Sequence, residues 1–142
     1  MDVLLSIKPE FAEKILGREK RYEFRKTAFR DPSIIETIYM YASSPVQEIV
    51  GSFSLSSVSE GTPAELWREF GSDSGIDQRS RFMDYFANTE TGYAFEVADV
   101  RRFTESIDPQ QRLDDFRPPV SFQYLRGEYD SLIATDPKSG SD

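Results

Sequence analysis

The stretch Gly17-Arg18-Glu19-Lys20-Arg21-Tyr22-Glu23-Phe24-Arg25-Lys26 decides how this chain is read. Its alternation predicts a strand over about residues 20–26, entered from a glycine turn. Tyr22 and Phe24 fall on one face, and Arg21, Glu23 and Arg25 on the other. The aromatic face belongs to a core. The charged face looks either into water or into a cleft, and the two choices have different consequences. In water, the row is an ion-pair ladder worth roughly 0–1 kcal/mol. In a cleft, it is one wall of a ligand site.

Working outward, residues 3–8 read as a first strand with Val3, Leu5 and Ile7 on one face. Pro9 opens a helix whose apolar stripe is Phe11, Ala12, Ile15 and Leu16. Gly17 stands where a helix end favours a left-handed residue. Residues 27–33 read as a loop. Residues 34–42 and 47–58 read as strands, and Gly51 within the second signals a bulge or a close backbone approach. Thr62-Pro63-Ala64-Glu65 is a capping box for a helix carrying Leu66, Trp67 and Phe70, which Gly71 stops. Asp77 is placed to cap a short helix running to about Asn88. A long strand covers about 93–103, with Tyr93, Phe95, Val97 and Phe103 on one face. A C-terminal helix is expected over 121–133, with Phe122 and Tyr124 packing it down. Strands with helices inserted irregularly between them give an α+β class: a curled, mostly antiparallel β-barrel with flanking helices. One domain over 1–135 and a disordered tail over 136–142 are expected.

Composition narrows the chemistry. The 142 residues contain no cysteine and no histidine, so disulfides, thiolate metal sites and histidine-based triads are excluded. Asp73, Asp77, Asp114 and Asp115 lack metal-site spacing, so neither a metal nor another cofactor is expected. Net charge is −8, but residues 1–30 carry eight Lys/Arg against five Asp/Glu. Such a total argues against non-specific nucleic-acid binding, while the local excess suits one small anionic or nucleotide ligand. The N-terminal residues lack a charged region followed by a long apolar run, and no window has the length of a membrane span. The expected location is the cytoplasm, away from membranes.

Ser6-Ile7-Lys8-Pro9, followed by Gly17 through Arg25, resembles the signature of the ASCH domain family of the PUA-like superfamily. Tyr41-Ala42-Ser43, Val50-Gly51, Gly92-Tyr93-Ala94 and 118–125 (PPVSFQYL) resemble further pieces of that family in the expected order. The resemblance spans about residues 3–126. It implies a β-barrel with a cleft near the lysine-glutamate segment that binds RNA, a nucleotide or a modified nucleoside. Some members are amidohydrolases that use a lysine with a threonine three positions later; Lys20 matches the lysine, and Glu23 stands in place of the threonine.

The candidate ligand-binding residues are therefore Lys8, Lys20, Glu23, Arg25, Tyr41 and Ser43. Lys20 can contact phosphate as a point charge, or, partly desolvated beside Glu23, act in acid-base or nucleophilic chemistry. Glu23 can accept from a base edge while Arg25 grips phosphate or orients Glu23. Tyr41 can stack on a base or simply pack. Three functions follow: an RNA- or nucleotide-binding module; a hydrolase, acting on a modified nucleoside or on RNA, with Lys20 and Glu23 as its working groups; and a regulatory domain that meets a protein partner through its acidic surface.

Overall fold

The computed structural model describes residues 1–133, so the tail expected over 136–142 lies outside the described residues. Six strands and three α-helices follow the order β1 (Val3–Ile7), α1 (Pro9–Leu16), β2 (Tyr22–Arg25), β3 (Thr37–Ala42), β4 (Glu48–Gly61), α2 (Pro63–Phe70), α3 (Arg79–Tyr85), β5 (Gly92–Ile107) and β6 (Phe122–Tyr124). The strands form a single sheet in the order β2-β5-β4-β3-β1-β6. Among the described residues only the β1–β3 pair is parallel. The sheet curls into a half-barrel, the α+β architecture expected from the sequence.

Curling gives the sheet a concave face that α1 fills. Val3, Leu5 and Ile7 of β1 meet Ile38 and Met40 of β3, Phe53 and Phe95 there, and Ala12, Ile15 and Leu16 close the space. Leu4 points the other way, into a second cluster with Tyr41, Ile49, Phe103 and Leu132. Strand β1 is thus apolar on both faces, which is why no polar residue interrupts its first three positions. A third cluster joins Phe24 of β2 to Leu66, Phe82 and Phe86 under α2 and α3.

Five local expectations are corrected. Residues 121–133 do not form an α-helix: Phe122–Tyr124 pair antiparallel with β1, and a 3-10 segment follows over Gly127–Leu132. Position 127 is a glycine at φ 64, which would break a helix through the segment. Phe122 still packs inward, edge-on to Phe29. At the end of α1, Gly17 keeps φ −83 while Arg18 takes the left-handed turn at φ 65. The third strand begins at Thr37, because Asp31 caps a 3-10 turn over Pro32–Ile34. Gln78, not Asp77, precedes α3. On β5, Tyr93, Phe95 and Val97 join the concave core but Phe103 joins the second cluster. Asp99 sits between them at φ 48, and the β4–β5 ladder slips at several points. By contrast, Thr62 and Glu65 form the capping box read from the sequence.

Gly51 shows why β4 and β5 can approach α1. A Cβ there would lie 2.5 Å from the Arg101 carbonyl oxygen and 2.7 Å from Leu16 Cδ2. The backbone oxygen cannot step aside. Gly51→Ala is expected to destabilise the fold by about 1–3 kcal/mol through overpacking, read as a lower urea midpoint. An unchanged midpoint would mean that the sheet relaxes freely at this contact.

Candidate functional site

Strand β2 carries charges that are not solvated. Glu23 and Arg25 are buried, and so is Lys20 in the turn before the strand, at 2% exposure. Alternation puts Phe24 into the third core and leaves Glu23 and Arg25 together on the other side. Arg21, of the same sequence row, stays exposed and takes no part.

The three buried charges form a continuous line. Arg25 Nε donates to Glu23 Oε2 at 2.8 Å, and Arg25 Nη2 lies 2.7 Å from the same oxygen. Lys20 Nζ stands 3.6 Å from Glu23 Oε1. Each cation is also anchored to backbone. Lys20 donates to the Ser74 carbonyl at 2.5 Å, and Arg25 Nη2 to the Ser6 carbonyl at 2.7 Å. Ion pairs removed from water need such extra hydrogen bonds to offset desolvation. The Ser74 carbonyl precedes Gly75, which sits at φ 71, where a side chain would be strained and its Cβ only 3.0 Å from Lys20 Cβ. Phe11 and Phe24 present their rings to the ammonium at 4.9 and 5.2 Å. Burial pushes the Lys20 ammonium below lysine's ordinary value, and the Glu23 carboxylate pulls it back up.

This line borders a cavity of about 700 Å³, a size usual for a small-ligand site. All six residues singled out in the sequence, Lys8, Lys20, Glu23, Arg25, Tyr41 and Ser43, line it. Lys8 is exposed at the N-terminal end of α1. Tyr41 is buried with its ring 5.5 Å from Phe116, and burial raises its phenol pKa with Asp108 adding to the effect. Ser43 follows β3, where its N–H donates to the Ile7 carbonyl. Arg25 is turned toward Glu23, Ser6 and Ser121, so of its two expected uses the geometry matches orienting the carboxylate.

The sequence reading missed the opposite wall. Helix α3 brings Arg81, Asp84 and Tyr85 to the cavity. Arg81 clasps Glu10 through two hydrogen bonds of 2.9 and 2.7 Å and covers the Phe11 ring. Pro118, Pro119 and Val120 form a further edge, strapped to β1 by Ser6 Oγ donating to the Pro119 carbonyl at 2.7 Å. Val120 is fully exposed, an apolar side chain held at the mouth. The run Pro118-Pro119-Val120 was visible in the sequence; its partner Ser6, 113 residues away, was not identifiable as such.

Comparison with known proteins supplies the context. No protein-family model matches the chain. The ASCH domain-containing ribonuclease of Zymomonas mobilis is 30% identical over 129 residues, covering 89% of this chain and 86% of that protein. The crystal structure of ASCH from Zymomonas mobilis superposes with a TM-score of 0.82 at 28% identity, over 94% of each chain. The N-terminal domain of Staphylothermus marinus McrB, 15% identical with a TM-score of 0.57 over 95% of this chain and 94% of that one, shares the fold.

The coupling of Lys20 to Glu23 has a measurable sign. The carboxylate stabilises the ammonium, so Glu23→Gln is expected to lower the Lys20 pKa further. The Lys20 13Cε resonance, followed by NMR from pH 6 to pH 11, reports it. A Lys20 titration unmoved by Glu23→Gln would show that the two groups are not coupled.

Proposed function

Because this chain belongs to the ASCH domain family, we propose that it binds single-stranded RNA by taking one nucleotide into the cleft bordered by β1, β2 and α3. One observation carries the reading. In a protein of net charge −8, the cavity lining sets Lys8, Lys20 and Arg25 against Glu23 and Asp84, beside an Arg81 already paired with Glu10. An acidic surface repels nucleic acid at long range, so attraction is confined to this basic, partly desolvated recess. Lys8 supplies charge for phosphate, and Lys20 a fixed donor beside Glu23. Glu23, fixed by Arg25, is an acceptor aimed at the donor groups of a base. Tyr41 and Ser43 form the wall on the β3 side.

Short single-stranded RNA oligomers of mixed sequence should therefore bind, and Lys20→Ala and Glu23→Ala should each weaken binding about tenfold or more. Few phosphates fit in such a recess. With a slope of about −0.7 for each phosphate neutralised, log K against log salt should fall with a slope of about −1 to −2. Fluorescence anisotropy at several salt concentrations measures both. A slope far steeper than this, or binding indifferent to both substitutions, would move the interface elsewhere.

A second reading, cleavage of the bound strand, draws support from the ribonuclease relative. Its working groups would be Lys20 and Glu23: an ammonium with a lowered pKa beside a carboxylate, in a chain without histidine. Incubation with a single-stranded RNA, resolved by mass spectrometry, should give shorter products that disappear with Lys20→Met. Equal product from Lys20→Met and the native chain would remove Lys20 from any cleavage chemistry.

A further inference from the structure

The line of charges has an order, and the order selects a base. Along the cavity floor run the Lys20 ammonium, Glu23 Oε1, Glu23 Oε2 and the Arg25 guanidinium, a sequence of donor, acceptor, acceptor, donor. The pattern is fixed from both ends, since Lys20 is anchored to the Ser74 carbonyl and Arg25 to the Ser6 carbonyl. An ionised carboxylate only accepts, an ammonium and a guanidinium only donate, and none of the three can invert its role by rotating. A carboxamide or hydroxyl at the same place could adapt to several partners; this arrangement cannot.

We propose that the cleft selects guanine through its Watson–Crick edge. The inference rests on the reading above, that one nucleotide of a single strand enters this cavity. Guanine presents O6, N1–H and the N2 amino group side by side, with N3 beyond: acceptor, donor, donor, acceptor. The two adjacent N–H groups meet the two oxygens of Glu23, and O6 meets Lys20, whose ammonium has three hydrogens to share between Ser74, Glu23 and a ligand. The other bases fail on the same count. Adenine and cytosine each bring one amino donor beside a bare ring nitrogen, so one carboxylate oxygen would face a lone pair. Uracil offers a single N–H between two carbonyl oxygens. Setting a ring nitrogen's lone pair against a carboxylate oxygen opposes two acceptors and forfeits the charge-assisted hydrogen bond that guanine would make there. Phe11 and Phe24 narrow the recess around Lys20, and Arg81 covers the outer ring, so the floor lies beneath aromatic surface and not in open water.

The test varies the ligand more than the protein. Fluorescein-labelled pentaribonucleotides of uridine with guanine, adenine, cytosine, uracil or inosine at the centre are compared by anisotropy. Guanine should bind about tenfold or more tighter than adenine, cytosine or uracil. Inosine keeps O6 and N1–H but lacks the amino group, so it should fall between guanine and the rest. A 7-deazaguanine oligomer, altered away from the Watson–Crick edge, should match guanine. Glu23→Gln replaces one acceptor with a donor and should erase the guanine preference. Binding of all five oligomers with equal strength, or a preference for another base, overturns the guanine assignment and leaves RNA binding standing. No binding to any oligomer overturns both. Inosine binding as tightly as guanine removes the second N–H contact and with it the paired-donor argument.

Discussion

A carboxylate held between two cations, with little water to screen any of them, governs how this protein is put together. Burying Lys20, Glu23 and Arg25 is costly unless every charge finds geometry-matched partners. The partners come from distant parts of the chain: the Ser74 carbonyl for Lys20, and the Ser6 carbonyl with the Ser121 hydroxyl for Arg25. That requirement fixes where the loop before α3 must lie, and how the segment before β6 meets the end of β1. Ser74 itself is fully buried and folds its hydroxyl back onto the Gly71 carbonyl, which shapes the loop that offers its own carbonyl to Lys20. Removing one member would leave its neighbours charged and unmatched.

The same constraint explains the contrast between interior and surface. Two cations and one carboxylate leave the line with an excess of positive charge, set in a chain with eight more acidic than basic side chains. Elsewhere, exposed pairs such as Arg102 with Glu13 and Arg81 with Glu10 neutralise one another at the surface and contribute little to stability. The excess in the recess has no such neighbour in the line itself. It is a standing attraction for an anion, placed where solvent screens least.

How much of this could be read from the sequence depended on distance along the chain. Alternation sorted Tyr22 and Phe24 from Glu23 and Arg25 correctly, because a strand's two faces are a local property. The capping box at Thr62 was equally local. The burial of Lys20 was not, since it depends on Ser74 and Gly75 more than fifty residues later. Arg81, Asp84 and Tyr85 were overlooked because α3 was read from Phe82 and Met83, and nothing local shows which of its polar residues face β2. Residues 121–133 misled for a different reason: Phe122, Tyr124 and Leu125 suit either a helix or a strand, and pairing with β1 decided the outcome. At Arg18 the chain turned one residue later than glycine would suggest, which composition alone does not reveal.

The lone tryptophan has an unintended use. Trp67 packs against Gly71, where a Cβ would come within 2.8 Å of the indole, and its ring centroid is 5.1 Å from that of Phe82. Phe82 in turn meets Phe24 edge-on at 4.9 Å, and both rings border the recess. The one indole, which can be excited apart from the seven tyrosines, therefore lies one aromatic ring away from whatever occupies that space, so the molecule carries its own optical gauge of occupancy, with no dye attached.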